Sequence, residues 1–203
     1  MFITFEGGEG TGKTTIIKKI ENHLKKLDHK VVLTREPGGT GSNLSESIRN
    51  LVLDPKYKHV NKYTESLLYA ASRAQHLDEV ILPALNDGKI VLCDRYIDSS
   101  LAYQGYAREL GIEYIEKINK YAMDHLPNLT FLIDVDPEIG INRVKKRSKY
   151  DRLDQETLEF HNKVRTGYGK VLDKYPNRII KIDGSKSLEE IETEIFNLIS
   201  DRL

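Results

Sequence analysis

The sequence predicts a three-layer α/β fold, a parallel sheet with helices on both faces. Three observations predict it. Short apolar runs alternate with longer helical patterns along the chain. Those runs are apolar at nearly every position, as in strands covered on both faces. The stretches between them are long enough for the right-handed crossovers that join parallel strands.

The elements follow in order. Phe2–Phe5 is the first expected strand and leads directly into a glycine-rich turn, after which a helix starts at Lys13. Val31–Thr34 and Ile90–Cys93 are the second and third strands. Between them a helix is expected from about Thr64 to Leu85, with Leu67, Leu68, Ala71, Ala74 and Val80 at near-helical spacing. Leu129–Val135 is the fourth strand. Asp136-Pro137-Glu138 then reads as an N-cap, a proline at the first helical position and an acid in the first turn. Arg178–Ile182 is the fifth strand, and after Gly184 a last helix runs from about Ser187 to Arg202. Residues 1–203 read as a single domain.

Composition narrows the function classes. The 203 residues carry 31 basic and 31 acidic side chains, so no net charge favours nonspecific nucleic-acid binding, and no nucleic-acid partner is expected. The longest wholly apolar run, Leu67–Ala71, is far short of a membrane span, so no membrane partner is expected. Met1-Phe2-Ile3-Thr4-Phe5 lacks the basic and apolar regions of a signal peptide, and a cytoplasmic location is expected. The one cysteine, Cys93, excludes an internal disulfide and a cysteine zinc site, and reads as a buried small apolar residue. His23, His29, His59, His125 and His161 show no metal-ligand spacing.

The chemistry begins at Gly7-Gly8-Glu9-Gly10-Thr11-Gly12-Lys13-Thr14, a full match to G-x-x-x-x-G-K-[ST] between a strand and a helix. Glycines let the backbone curl so that N–H groups point at phosphate oxygens, and the helix adds its positive dipole end. Gly7 through Thr14, with Thr15, form the expected ATP-binding set. Lys13 can neutralise the β- and γ-phosphates, and the Thr14 hydroxyl can ligate Mg²⁺. The third strand delivers Asp94 at its C-terminal end, where ligands bind in open α/β sheets. Asp94 is expected to hold Mg²⁺ with Thr14, although an acid in that place also commonly caps a helix or turn.

A glycine loop fixes a nucleoside triphosphate but not the reaction. Asn61-Lys62, Asn119-Lys120 and Asn162-Lys163 do not continue to the Asp of a guanine-reading motif, and a motor-type ATPase more often belongs to a larger chain. A small-molecule kinase remains. Arg95 and Arg49 could stand between donor and acceptor phosphates and offset their repulsion, though Arg49 also reads as an exposed helix residue. Tyr69, Ser72, Arg73 and His76 share one helix face, either a base-binding wall or a solvated polar surface. Ser100, Tyr103 and Gln104 repeat the i, i+3, i+4 spacing, and the glutamine amide suits the edge of a pyrimidine. Arg143, Lys145, Lys146, Arg147, Lys149 and Arg152 face a single acid, Asp151, over 143–152. They read as a short basic lid, about 143–154, or as a solvated basic helix end.

Phe5-Glu6-Gly7, Thr34-Arg35-Glu36-Pro37-Gly38-Gly39, Ala70-Ala71-Ser72-Arg73, the whole run from Asp94 to Gly105, and Arg152-Leu153-Asp154 together resemble the bacterial thymidylate kinases. The resemblance covers most of the chain, and the 94–105 run is its most specific part. It implies a P-loop kinase fold with a five-stranded parallel sheet. It also implies Mg²⁺-dependent transfer from ATP to dTMP, giving ADP and dTDP on the route to dTTP, usually in a homodimer. Glu9 resembles the loop carboxylate near the sugar 3′-OH and metal, and Arg49 and Arg95 the acceptor-phosphate clamp. Arg73, with Ser72 nearby, resembles the arginine on the thymine carbonyl, and Gln104 the residue facing N3. Ser100 belongs to the same dTMP-binding set. Tyr103 resembles the tyrosine that crowds the 2′ position. Tyr69 stands where the family often has a stacking phenylalanine, and Glu36 lies near substrate and loop.

The loop interior has no arginine while the lid segment has three, which resembles the family's lid-arginine style. Arg147 and Arg152, then Arg143, are the expected charge donors to the transferring phosphoryl group, alongside Lys13 and Arg95, with packing against adenine as the alternative for Arg143. Adenine is expected at Gly184-Ser185-Lys186-Ser187. The alternatives are a kinase for another nucleotide or a deoxynucleoside, and a nucleotide-dependent switch without an acceptor pocket.

Overall fold

The computed structural model describes residues 1–57, 59–145 and 151–203. Its strands are β1 (Phe2–Glu6), β2 (Val31–Arg35), β3 (Ile90–Asp94), β4 (Leu129–Asp134) and β5 (Ile179–Asp183). They form one sheet in the order β2-β3-β1-β4-β5, with every pairing parallel. All five expected strands are present. The first three run one residue further than their apolar stretches, because Glu6, Arg35 and Asp94 still pair across the ladder, as Glu6 with Leu132 and Arg35 with Asp94.

The helices are α1 (Lys13–Lys26), α2 (Asn43–Leu53), α3 (Lys62–His76), α4 (Leu82–Asn86), α5 (Ile97–Ser100), α6 (Ile112–Ile118), α7 (Lys120–Met123), α8 (Pro137–Val144), α9 (Leu158–Lys174) and α10 (Leu188–Ser200). The long helix expected before β3 is interrupted. α3 passes into α4 through a π-helical turn, Leu77–Ile81, and a second π-helical stretch, Leu101–Ala107, continues α5. Such wide turns recur at functional sites, and this second one carries Tyr103 and Gln104.

Period-two alternation splits β1 between two cores. Ile3 and Phe5 meet Ile16, Ile17 and Ile20 of α1 and Ile191, Ile195 and Ile199 of α10. Phe2 belongs to the opposite core with Val91, Cys93, Tyr96, Leu101, Val164 and Tyr168. Cys93 is fully buried there. Thr4 and Glu6 share the face of Phe2, which puts a buried carboxylate at the end of the central strand. The expected N-cap at Asp136 is present, its side chain accepting from Glu138 N.

β1 lies between β3 and β4. The chain leaves β1 one way to reach β2 and later crosses back over β1 to reach β4. The crevice at such a reversal opens at the C-terminal strand ends, here those of β1 and β3. Among the described residues no helix is long and apolar enough to cross a membrane.

Candidate active site

The turn after β1 is a phosphate-sized cradle. Gly12 takes φ 88°, a left-handed conformation that glycine adopts without cost, and stands as the N-cap of α1 with no side-chain cap. The N–H groups of Lys13 and Thr14, at the start of the helix, are therefore left to an incoming anion. Gly10 takes φ 67°, and a Cβ there would stand 2.1 Å from the carbonyl oxygen of Gly140. Only a glycine lets α8 seat this closely on the loop. The cradle is a cavity of about 120 Å³ walled by Glu9 through Thr15, Asp94 and Arg95.

Lys13 curls back over the loop. Its Nζ donates to Gly7 O (3.1 Å), Gly8 O (2.8 Å) and Thr11 Oγ1 (3.2 Å). Burial, helped by Arg95 and opposed by Asp94, Glu9 and Glu6, pulls its ammonium down to about 8. Thr14 Oγ1 donates to Asp94 Oδ2 at 2.9 Å, joining the two expected metal ligands across the crevice. A hydroxyl and a carboxylate fit a hard oxygen-seeking cation whose other ligands are phosphate and water. Arg143 donates to Gly10 O at 3.2 Å. The start of α10 also reaches the loop, Leu188 Cδ2 lying 3.6 Å from the place of a Gly12 Cβ.

Arg95 sits at the junction with the next cavity. Its φ of 70° is unusual for a non-glycine, and its neighbours hold it there. Its guanidinium donates to Glu9 Oε1 (2.6 Å), Gly7 O (2.8 Å), Tyr168 OH (3.1 Å) and Ser99 Oγ (3.2 Å). Tyr103 OH also donates to Glu9 Oε1 at 2.8 Å. Burial disfavours the Glu9 charge, but Arg95, Lys13 and Tyr103 outweigh it and hold the carboxyl down to about 2. Glu6, behind this pair, accepts from Tyr96 N (2.7 Å), Ser99 Oγ (2.6 Å) and Tyr168 OH (3.0 Å). Burial and the neighbouring Asp98 raise its carboxyl to about 7.

Beyond the junction a cleft of about 210 Å³ opens. Of the expected acceptor residues, Glu9, Glu36, Arg49, Tyr69, Arg73, Arg95, Ser100, Tyr103 and Gln104 all line it. Arg35 lines it as well, and burial and Arg35 together disfavour the Arg49 charge, as suits a place made for an anion. Arg49 Nη1 donates to Pro37 O at 2.7 Å, so it is a held residue and not a free surface arginine. Arg73 is buried and fixed at three points, Nε to Glu36 Oε2 (2.6 Å), Nη1 to Asn119 Oδ1 (2.7 Å) and Nη2 to Tyr96 O (3.1 Å). Glu36 is steadied in turn by His76, whose other ring nitrogen meets Thr34 Oγ1 at 2.7 Å. The Tyr69 ring walls the cleft, while its buried hydroxyl pairs with no described residue. The two cavities share Glu9, Thr14, Asp94 and Arg95.

A larger cavity of about 370 Å³ lies behind the loop, against α8 and α9. It reaches neither Lys13 nor Asp94, so it is not where phosphates would meet.

Two expectations need correcting. Ser72 does not face the cleft. Its hydroxyl is fully buried, donates to Ser45 O and accepts from Gly38 N, and so pins α3 to α2. Arg152 is not at the phosphate loop. It donates to Glu65 Oε2 (2.6 Å) and Val52 O (3.0 Å), on the acceptor side. A buried carboxylate out-competes solvent for a nearby guanidinium, and this fixes Arg152 where it is. Of the two described lid arginines Arg143 is the one that reaches the loop, while Arg147 lies outside the described residues, as do Lys146 and Lys149.

Sequence reasoning missed Glu6, Glu65, Asn119 and Tyr168. Glu65 had a signal, since it shares a helix stripe with Tyr69, Ser72 and His76. Asn119 and Tyr168 had none, because they arrive from other elements.

A family model for thymidylate kinase matches residues 5–195. The chain is 53% identical to a thymidylate kinase of Acholeplasma laidlawii, with all of both chains covered. It is 50% identical to one of Clostridium novyi, covering 96% of this chain and 95% of the relative. The crystal structure of thymidylate kinase from Ehrlichia chaffeensis superposes with a TM-score of 0.79 at 34% identity, covering 98% of each chain.

Proposed function

The chain belongs to the thymidylate kinase family, and from that premise we propose that its joined cavities carry the γ-phosphoryl group of ATP to the 5′-phosphate of dTMP, giving ADP and dTDP. The observation that supports this best is the sharing of Glu9, Thr14, Asp94 and Arg95 by the loop cavity and the cleft. Two nucleotides bound there would meet phosphate to phosphate.

The transfer is an in-line displacement. An acceptor phosphate oxygen bonds to the γ-phosphorus as the bond to the β,γ-bridging oxygen breaks. The attacking oxygen is already anionic, so no strong base is required, and catalysis is positioning plus charge stabilisation. Loop N–H groups and Lys13 hold the donor phosphates. Arg95 and Arg49 hold the acceptor phosphate, and Arg143 adds charge from above the loop. Thr14 and Asp94 would hold Mg²⁺, which supplies charge neutralisation between the phosphates. Glu9, kept ionised by Arg95, fixes the Tyr103 ring beside the sugar, where it disfavours a 2′-hydroxyl. Tyr69 stacks on the base, and Arg73 and Gln104 read its edge. Glu36 lines the cleft and holds Arg73, while Arg152 and Ser72 support that wall from behind.

The same reading makes the chain one cytosolic domain that acts as a homodimer. Apolar side chains left exposed on the adjoining α2 and α3, namely Leu44, Leu51, Tyr63 and Leu67, support a self-association surface. ADP release with dTMP, dUMP, UMP, CMP and thymidine as acceptors tests the activity. Preference for dTMP is expected, and ADP release indifferent to acceptor overturns it. Sedimentation equilibrium tests the dimer.

A further inference from the structure

Gln104 lines the acceptor cleft, and the proposed function makes it a reader of the base edge. An amide can present either a donor or an acceptor, so its reading depends on which end is turned inward. Something outside the cleft makes that choice. Gln104 Nε2 donates to Glu65 Oε1 at 2.9 Å. Glu65 does not line the cleft and is fully buried behind it. An ionised carboxylate only accepts, so the amide must turn its NH2 group toward Glu65 and its carbonyl oxygen away. Among the described residues none donates to that oxygen by a side-chain hydrogen bond.

The carboxylate is itself locked. Its Oε1 also accepts from Arg108 Nε (3.3 Å), and its Oε2 from Arg108 Nη2 (3.3 Å) and Arg152 Nη2 (2.6 Å). Burial opposes its charge, but Arg108, the Gln104 amide and Arg152 together hold the carboxyl below its usual range. Four N–H donors from three side chains on two oxygens leave it little freedom to turn.

We infer that Glu65 is the positioning residue that fixes the Gln104 amide with its oxygen facing the substrate, so that the cleft selects pyrimidine monophosphates bearing an N3–H and a 4-keto group. This rests on the dTMP kinase reading and deepens it. Arg73 supplies the second half of the code. Its Nη1 and Nη2 each spend one N–H on the protein and keep one for a carbonyl. An arginine donor beside a glutamine acceptor matches the 4-keto, N3–H edge of thymine or uracil. Cytosine presents the reverse at both positions, an amine against the guanidinium and a lone pair against the amide oxygen. Both mismatches would be buried, where they cannot be relieved by water. A site built in this way rejects the wrong edge by about 10³-fold or more.

The test compares kcat/KM for dTMP, dUMP and dCMP in the wild-type chain and in Glu65→Gln. With a neutral amide behind it, Gln104 can face either way. The dTMP-to-dCMP ratio is expected to fall about tenfold or more, through a higher KM for dTMP with kcat little changed, and dUMP should follow dTMP. If Glu65 only supports the fold, both nucleotides lose together and the ratio stays at its wild-type value, which overturns the inference. A second measurement needs no variant. In the wild-type chain the side-chain NH2 resonances of Gln104 should keep their shifts and slow solvent exchange when dTMP is added. A large change on binding means that the amide donates to the base, and the assignment falls. Absence of dTDP from the wild-type reaction defeats the functional reading itself. Normal dTDP production with an unchanged ratio in folded Glu65→Gln defeats only the role of Glu65.

Discussion

At the donor end of the cleft the polar groups are largely main-chain, set by glycine conformations within residues 7–15 and joined by one lysine. At the acceptor end they are side chains from β2, α2, α3, the loop after β3 and the π-helical turn, and Arg73 and Gln104 among them are held by buried partners from other elements. The donor end can bind any nucleoside triphosphate, because phosphate looks alike on all of them. The acceptor end must recognise one base and one sugar, which takes side chains of defined orientation. That orientation comes from residues such as Glu65 and Glu36, buried with the groups they aim. A generic site needs few long-range contacts, and a selective one needs many.

The junction between the two ends should be the most sensitive place. Arg95→Ala removes the cation shared by both cavities and leaves Glu9 without its closest partner. Turnover in an ADP-release assay is expected to drop about 10⁴-fold, while ATP binding, measured by calorimetry, stays near wild type. Near-normal turnover would break the view that charge at the junction drives the transfer.

Stability should divide the two ends next. Glu36→Ala leaves Arg73 buried without its ion pair, the carboxylate that also meets His76. A loss of about 3 kcal/mol is expected in urea unfolding. Thr14→Ala, at the exposed mouth of the loop, should change stability by no more than about 0.5 kcal/mol. Equal losses would erase the contrast.

The donor end has its own signature in pH. Burial draws the Lys13 ammonium from 10.5 to about 8. Above about pH 8 the folded protein must reprotonate Lys13 before gripping phosphate, so ATP affinity is expected to weaken by up to tenfold per pH unit. The stability contribution of this group has the opposite sign. Below 8 the folded state bears the full cost of a buried charge, and between 8 and 10.5 that cost is relieved, because the folded state has shed a proton that the unfolded chain still carries. Lys13→Met should remove both slopes.

The smallest expected effect is at Tyr69. Its hydroxyl is buried and pairs with no described residue, so Tyr69→Phe is expected to leave stability unchanged or to raise it by up to about 1 kcal/mol, read from the urea midpoint. A clear loss would give that hydroxyl a partner and make the acceptor wall more polar than its geometry suggests.

Ser72 and Arg152 mark where the sequence stopped being readable. Helical spacing put Ser72 beside Arg73, but a helix face is wide enough to touch two neighbours, and Ser72 turned to α2 while Arg73 turned to the cleft. The clustered cations near Arg152 suggested a phosphate, yet Arg152 pairs with the buried carboxylate of Glu65, 87 residues away in the chain. Glu65 itself lay in plain view on the Tyr69 stripe, but a lone acid on a helix says nothing until its partners are known.

The sequence by itself determined the alternation of strand and helix, the five-stranded sheet and the phosphate loop with Lys13, Thr14 and Asp94. These depend on apolar periodicity and on backbone conformations that neighbouring residues impose. Only the tertiary structure decided which way each long polar side chain turned: Arg73 to Glu36 and Asn119, Arg95 to Glu9, and Gln104 and Arg152 to Glu65. Such side chains pair with whatever opposite charge or acceptor shares their buried space. That choice is made across the sheet and not along the chain.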